Sequence, residues 1–336
     1  MTEIEEKRLI LALAIQRVGF LRTEERLLIW DLVDDELSLS LLSKRDVEAA
    51  IGRVLDGRSW APDSFLDAAV RDARFLEKSG CRFIQFDDPA YPMALRETSR
   101  PPFGLFVRGR NLDPSADCVA IVGTRMPTGR GMSAAFDLAR GLAEAGVAVI
   151  SGLARGVDAA AHRGALASFR GAATCAVLPC GIDGIYPPGN RSLAADILDQ
   201  GGLFVSEYPP GETLHKYRFP ERNRIIAGLS RACVVVEAPA KSGALITADH
   251  ALDENRDVWV SSDCLGGPRS AGIDRLAAEG AHKVSAAADI LEDWGREFQS
   301  RGSPIIGPVE DGNEGKRLAA VLCEELSMGD DRWEMS

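Results

Sequence analysis

CVAIVG, from Cys118 to Gly123, is the stretch that decides the fold, because it is a short, continuous run of apolar residues ending in glycine. Five similar runs follow it, and helical stretches separate them. Strands without polar alternation are typical of a parallel sheet that is covered on both faces. The sequence therefore predicts a doubly wound α/β domain over about residues 118–291. The five runs are VAVISG (147–152), TCAVLPCG (174–181), LFVSEY (203–208), ACVVVEA (232–238) and DVWVSS (257–262).

The chain before this domain has a different pattern. Apolar residues recur at helical spacing in LILALAIQRV (9–18) and RLLIWDLV (26–33), which predicts short helices. A proline-rich connector and the strand-like FGLFVRG (103–109) come next. We expect three parts: a helical domain at 1–84, a core at 85–291 and an acidic C-terminal segment at 292–336.

Composition narrows the class of protein. The chain has 336 residues, of which 46% are hydrophobic and 26% charged, as in an ordinary globular protein. No apolar run approaches the roughly 20 residues that cross a bilayer, and the charged N-terminus is unlike a secretory signal. Cys118, Cys175 and Cys233 fall in apolar runs, which predicts buried, reduced thiols, and the four histidines lack metal-ligand spacing. We expect a cytoplasmic protein with no metal, no cofactor and no membrane attachment.

The charge is distributed unevenly. The net charge is −11, yet residues 118–241 carry 13 Lys and Arg against 10 Asp and Glu and are net positive. A local basic surface can bind phosphates on an acidic protein, because salt screens charges beyond about 10 Å. The excess is small, so the charge permits phosphate binding without requiring it.

Cationic residues follow the carboxyl ends of the predicted strands, where ligands bind in doubly wound sheets. In FPERNRIIAGLS (219–230), two arginines flank an asparagine, and the spacing predicts a loop that enters a helix with both guanidiniums at its mouth. A solvated helix cap, or ion pairs with Asp158, Asp183 or Glu207, would explain each cation singly. We expect six cations to converge on one sheet edge: Arg125, Arg155, Arg191, Arg222, Arg224 and Lys241.

Signatures of enzymes are missing from this edge. No G-x-G-x-x-G follows the first strand, no Walker lysine motif or G-x-S-x-G is present, and Ser151 and Gly152 stand where a ribose-binding acid would follow the second strand. His162 lies in a helical stretch, where a packing role is favoured over catalysis. Glu237 ends a strand and can be a general base or an ion-pair partner of the arginines, and we favour the structural role. No catalytic residue is predicted.

Six stretches, in this order, resemble the DNA-processing protein A (DprA/Smf) family: CVAIVGTR, SGLARGVDAAAH, AVLPCGIDGIYP, SEYPPG, FPERNRIIAGLS and VVVEAPAKSGALITA. The resemblance covers about residues 85–291. It implies an α/β fold with an extended Rossmann-like, doubly wound, mostly parallel sheet and a small N-terminal helical (SAM-like) domain. It also implies a non-enzymatic protein that binds and protects incoming single-stranded DNA and helps to load a RecA-type recombinase in natural transformation.

The resemblance implies particular contacts as well. The expected stacking residues are Tyr186, Tyr208, Tyr217 and Phe219. A homodimer through the region around Ile273 to Ala281 is implied, and the family's C-terminal winged-helix domain is expected to be absent or vestigial. The expected DNA-binding residues are Gly123, Thr124, Arg125, Arg155, Arg191, Arg222, Asn223, Arg224, Lys241, Ser242 and Gly243.

Two other functions remain open from the sequence. The first is a nucleotide-processing enzyme of the phosphoribohydrolase-like Rossmann type, which uses P-G-G-x-G-T-x-x-E. The nearest stretch here, Pro239 to Thr247, lacks the paired glycines and the glutamate. The second is a sensor domain that binds a free nucleotide.

Overall fold

The computed structural model describes residues 2–110, 113, 115–171 and 173–296. Five helices precede the sheet, and the later helices alternate with its strands. The helices are α1 (Glu3–Arg17), α2 (Thr23–Leu32), α3 (Glu36–Leu41), α4 (Lys44–Ile51), α5 (Pro62–Ser79), α6 (Met93–Arg96), α7 (Gly129–Glu144), α8 (Val157–Leu166), α9 (Arg191–Asp199), α10 (Arg218–Gly228), α11 (Gly243–Asp253), α12 (Ala271–Ala278) and α13 (Ala287–Asp293).

The described residues form one sheet of nine strands, in the order β1-β2-β6-β5-β4-β3-β7-β8-β9. Strands β3 to β9 are parallel to one another, whereas β2 pairs antiparallel with both β1 and β6. The strands are β1 (Arg82–Gln85), β2 (Gly104–Gly109), β3 (Cys118–Val122), β4 (Ala148–Ser151), β5 (Thr174–Val177), β6 (Leu203–Ser206), β7 (Ala232–Val235), β8 (Asp257–Ser261) and β9 (His282–Val284).

The sheet is covered on both faces, as its continuous apolar strands require. Every residue of β3 is buried, because a parallel sheet in this topology has helices on each side. Near β2 and β6 the alternate side chains divide between two hydrophobic clusters. Phe106 and Phe204 pack with residues of α1 to α5, whereas their neighbours Leu105 and Val205 pack in the other cluster. The N-terminal helices therefore cover one face of the sheet at this end.

The N-terminal helices have clear local causes. The hydroxyl of Thr2 accepts from the amide of Glu5 at the start of α1, and the Glu5 carboxylate accepts from the amide of Thr2. The longest helix, α5, begins with Pro62, where no amide hydrogen is needed, and ends at Gly80. Gly80 has a φ of 65°, a left-handed conformation that glycine adopts without a steric cost.

The predicted α/β fold is confirmed, and all six predicted core strands are present. The sequence did not predict β1, whose four residues are each only partly buried, or the three-residue β9, of which only Val284 is buried. Within the described residues, no helix is both long enough and apolar enough to span a membrane. The division into three domains stays a prediction. Most of the predicted acidic C-terminal segment, from residue 297 onward, lies outside the described residues.

Candidate functional site

The candidate site lies where the order of the strands reverses. From β3 the chain proceeds to β4, β5 and β6 on one side, and then returns to place β7, β8 and β9 on the other. The crossovers that leave β3 and β7 run in opposite directions, so a crevice opens at the carboxyl ends of these two strands. The turns after β3, β4, β5 and β7 all lie at this edge, as the sequence predicted.

The turn after β3 is held close to its neighbours. The amide of Thr124 donates to the carbonyl of Glu237 at 2.7 Å, and the carbonyl of Thr124 accepts from the amide of Val157 at 3.2 Å. A side chain at Gly123 would overlap Val157, so the turn requires glycine here. Arg125, which follows Thr124, is exposed. The backbone therefore projects one guanidinium into solvent beside the crevice.

An aromatic pair lies beside that guanidinium. The Cζ of Arg125 is 5.3 Å from the centre of the Phe219 ring. The ring of Tyr186 meets Phe219 edge-on, with the ring centres 5.7 Å apart. Both rings are partly exposed, so two of the four predicted stacking residues lie at this edge.

The prediction for FPERNRIIAGLS is wrong in one respect. Helix α10 begins at Arg218, before this stretch, so Arg222 lies inside the helix and not at its mouth. Arg222 is 5% exposed, and its Nη1 donates to the carbonyl of Val177 at 2.7 Å. A side chain at Gly152 would overlap its guanidinium. Arg222 thus supports the site from below and has little surface with which to touch a ligand.

Arg224 points away from Arg222. Residues two apart on an α-helix point about 200° away from each other, so the two side chains leave α10 on opposite faces. Arg224 forms an ion pair with Glu207 and donates to the carbonyl of Arg100 at 2.6 Å. Asn223, between them, donates to the carbonyl of Gly243 at 3.3 Å. The predicted convergence of both arginines is therefore wrong.

Asp158 is a carboxylate that interacts electrostatically with the buried guanidinium. It is buried, and it accepts hydrogen bonds from the amides of Gly152 (3.1 Å) and Ala154 (3.3 Å). Burial raises the pKa of Asp158, and the positive charge of Arg222 opposes that rise. Burial likewise lowers the pKa of Arg222, and the charge of Asp158 opposes that change. Each charge stabilises the other beneath the crevice.

Glu237 is structural, as predicted, but its partners are not arginines. Its carboxylate accepts from the amide of Thr128 at 2.8 Å and from the Thr128 hydroxyl at 3.2 Å. Thr128 is the N-cap of α7, so the carboxylate occupies the positive end of that helix. With Asp158 bound to the amides of Gly152 and Ala154, carboxylates already occupy backbone donors at the starts of both α7 and α8. This leaves them unsuited to a dinucleotide pyrophosphate, in line with the missing G-x-G-x-x-G.

The remaining predicted residues occupy the same edge in different environments. Arg155 is exposed in the turn after β4, near Gly189, and Lys241 is exposed in the turn after β7. Arg191 is the first residue of α9 and is partly buried. Ser242 caps α11, and its hydroxyl accepts from the amide of Ala244 at 3.3 Å. Gly243, the first residue of α11, is exposed.

The buried thiols and His162 have the predicted structural roles. Cys118, Cys175 and Cys233 are buried in strands, and burial raises the pKa of each thiol, to about 12 for Cys118 and Cys233. His162 is fully buried, and its Nδ1 lies 2.8 Å from the hydroxyl of Thr174. Burial lowers its pKa to about 3, so the imidazole is neutral near pH 7.

Sequence reasoning missed a second cluster of cations, which lies beside the N-terminal half of α10. These arginines come largely from the N-terminal helices and the connector, which strand ends do not mark. Arg218 directly precedes the FPERNRIIAGLS stretch and was the one signal at hand. Its guanidinium lies 4.2 Å from the ring centre of Tyr208 and 5.9 Å from that of Tyr217, so the other two predicted stacking residues lie beside this cluster.

Comparison with known proteins places the chain in a family. Residues 82–295 match the family model described as DNA recombination-mediator protein A. Protein Smf of Synechocystis sp. is 42% identical over 229 residues, which cover 66% of this chain and 57% of that protein. DNA processing protein DprA of Streptococcus pneumoniae is 39% identical over 254 residues, covering 74% of this chain and 88% of that protein.

Two solved structures share the fold. The X-ray structure of DNA processing protein A from S. pneumoniae has a TM-score of 0.67 at 32% identity, covering 85% of this chain and 97% of that one. DNA processing protein A from Helicobacter pylori, described as having a unique single-stranded DNA binding mode, has a TM-score of 0.56 at 30% identity. The match covers 63% of this chain and 95% of the H. pylori chain. The chain therefore belongs to the DNA recombination-mediator protein A (DprA/Smf) family.

Proposed function

We propose that the protein binds single-stranded DNA along the carboxyl edge of the sheet, through a surface here named the rim. The rim consists of the turn from Gly123 to Arg125, the exposed Arg155, the turn from Lys241 to Gly243, and the rings of Tyr186 and Phe219. The observation that carries the proposal is the set of exposed cations from three separate turns at the point where the strand order reverses. Such cations bind a phosphate backbone without reading its sequence.

Single strands suit the rim better than a duplex. The Phe219 and Tyr186 rings lie beside Arg125 and are partly exposed, so unpaired bases can stack on them while cations bind the phosphates. A duplex keeps its bases stacked on each other and leaves such rings unused. The single-stranded DNA binding of the H. pylori relative supports the same conclusion.

Within this proposal the buried arginine has an indirect part. Arg222 neutralises Asp158 beneath the rim, so that a carboxylate close to Arg125 does not repel an incoming phosphate. Arg222 is thus a positioning residue, and the exposed Arg125 and Lys241 make the contacts.

We further propose that the protein is not an enzyme and acts in the cytoplasm. It protects incoming single strands and helps to load a RecA-type recombinase onto them, in natural transformation or homologous recombination. The family description as a recombination mediator supports this role. A homodimer through the region from Ile273 to Ala281 belongs to the same proposal. Ile273 and Leu276 are buried within the chain itself, so the more exposed side chains of this region would form the contact.

The competing function is a nucleotide-processing enzyme. The arrangement of carboxylates speaks against it, because Asp158 is bound to two backbone amides and Glu237 to the N-cap of α7. Neither is free to activate a water at the crevice. Incubation with a set of nucleoside monophosphates checks this, since release of free base would establish the enzyme.

The test of DNA binding compares two double variants. Arg125→Ala plus Lys241→Ala removes two exposed cations of the rim, and Arg163→Ala plus Lys283→Ala is the control with the same change in charge. Arg163 is exposed near the far end of α8, and Lys283 is exposed on the edge strand β9. Titration of a thymidine 20-mer by fluorescence anisotropy over a range of salt concentrations measures both affinity and salt slope.

We expect the rim variant to bind more weakly and with a flatter salt dependence. Each lost phosphate contact lowers the slope of log K against log salt by about 0.7 for single strands, so two contacts lower it by roughly 1.4. The control variant should keep the slope of the wild type. Equal slopes for both variants, or no binding by the wild type, would refute the proposal.

A further inference from the structure

A cavity of about 620 Å³ lies between the N-terminal helices and the core, beside Arg218 and Arg224 of α10. Six arginines line it, and we name it the arginine cavity. Its volume falls within the range of roughly 300–1,000 Å³ that is typical of small-ligand pockets. The six arginines are Arg17, Arg22, Arg26, Arg100, Arg218 and Arg224.

Half of these arginines are already paired with carboxylates. Glu212 bridges Arg17 at 3.2 Å and Arg218 at 2.6 Å, Asp72 also binds Arg17, and Glu207 pairs with Arg224. Two further glutamates, Glu24 and Glu221, line the cavity and are exposed. The lining as a whole still carries more guanidiniums than carboxylates.

The other three arginines form no ion pair with any described residue. Arg22 and Arg100 are exposed, whereas Arg26 is 8% exposed, and its Nη2 donates to the carbonyl of Val18 at 3.1 Å. The Nε of Arg26 is buried and finds no hydrogen-bond partner among the described residues. The guanidinium of Arg26 has little accessible surface, so the exposed and unpaired Arg22 and Arg100 are the cations that point to an anionic ligand in the cavity.

Aromatic rings stand beside these cations. Arg218 lies over the Tyr208 ring, and Tyr217, which is 62% exposed, stacks on His215 with ring centres 5.4 Å apart and planes at 13°. Gln16 adds a buried amide oxygen that has no partner among the described residues. The wall therefore combines guanidiniums for a phosphate with flat rings and an amide that suit a base.

We propose that the arginine cavity binds a phosphorylated nucleoside, as a second site separate from the rim. Two sources supply this chemistry: a nucleotide within a bound DNA strand, or a free mononucleotide. Binding of a nucleotide within a DNA strand rests on the proposed function. Helix α10 is only about 10–12 Å across, so a short strand bound at the rim can continue over it into the cavity. Binding of a free mononucleotide does not depend on the rim.

The test uses exposed residues, so that the variants fold. Arg22→Ala plus Arg100→Ala removes two unpaired cations of the cavity, and Arg45→Ala plus Arg163→Ala removes two exposed arginines elsewhere, again one from the N-terminal helices and one from the core. Each protein, and the rim variant Arg125→Ala plus Lys241→Ala, is titrated by calorimetry with thymidine 5′-monophosphate and with a thymidine 20-mer.

We expect the cavity variant to bind at least one probe about tenfold more weakly than the wild type and the control, because hydrogen bonds to charged groups are lost. Weaker binding of the mononucleotide, with the rim variant unaffected, identifies a free nucleotide as the ligand. Weaker binding of the 20-mer alone identifies a strand. If the cavity variant binds both probes as the wild type does, the inference about the cavity is overturned. The proposed function fails separately, if the rim variant keeps full affinity for the 20-mer.

Discussion

The substitution Arg222→Met separates support of the rim from contact with DNA. Methionine keeps much of the aliphatic volume but removes the charge and the donor to Val177, which is bound at 2.7 Å. Loss of a hydrogen bond from a charged group costs about 1.5–3 kcal/mol, and Asp158 loses its compensating charge as well. We expect a destabilisation of about 3 kcal/mol, which lowers Tm by roughly 6–12 °C in a domain of this size.

The pH dependence of the stability of Arg222→Met shows whether the uncompensated charge of Asp158 causes the destabilisation. Burial holds the pKa of Asp158 above its ordinary value in the folded chain, and the variant raises that pKa further because the opposing guanidinium is gone. The folded state then binds a proton more readily than the unfolded state, so stability rises as the pH falls through the folded pKa. The loss of stability caused by Arg222→Met should therefore be smaller at pH 5 than at pH 7.5. Adding Asp158→Asn should restore part of the stability at pH 7.5.

Differential scanning calorimetry measures Tm, and anisotropy with the thymidine 20-mer measures affinity below the transition. The matched variant is Arg125→Ala, which changes an exposed residue and should leave Tm within about 2 °C of the wild type. That variant should instead weaken DNA binding. Should Arg222→Met keep the wild-type Tm while losing as much affinity as Arg125→Ala, Arg222 would be a direct contact and the assignment from burial would be refuted.

Three further predictions follow from single residues. Phe219→Ala should weaken binding of the 20-mer by about 1–3 kcal/mol in anisotropy titrations, because a stacked base is lost, and Phe169→Ala, at a ring that is 72% exposed, should not. His162, with its pKa lowered to about 3, should show NMR resonances of a neutral imidazole from pH 8 to pH 4.5, and titration near pH 6 would contradict its burial. Because unfolding restores the ordinary pKa of His162, the free energy of unfolding should fall by about 2 kcal/mol between pH 7.5 and pH 5. Glu237→Gln should destabilise the chain in urea by about 1 kcal/mol, because the N-terminus of α7 loses its negative partner at Thr128, and an unchanged urea midpoint would argue against that role.

Most of the rim could be predicted from the sequence, because position along a strand fixes position at the sheet edge. Arg125 and Lys241 lie in the turns that follow two buried strands, and parallel strands bring such turns to one edge. The same reasoning failed within α10. The sequence places Arg222 and Arg224 together, but the helix starts at Arg218, and its geometry then separates them by about 200°.

The arginine cavity could not be predicted from the pattern of strands. Its arginines lie on α1, near the start of α2, in the connector and on α10, far apart in the chain, and none of them follows a parallel strand of the core directly. They meet because the N-terminal helices pack against one face of the sheet. Without that packing, Arg22 and Arg100 are two ordinary surface cations.

The sequence by itself determined the alternation of strands and helices, the parallel sheet and the edge at which the glycines and cations gather, since these depend on local periodicity and on the short reach of each turn. The tertiary structure alone decided the role of each cation, because burial and partners depend on segments distant in sequence. Arg125 remains exposed beside Phe219, whereas Arg222 is covered and bonded to β5. An exposed guanidinium keeps its donors for a phosphate, whereas a buried and hydrogen-bonded one has little surface left for a ligand.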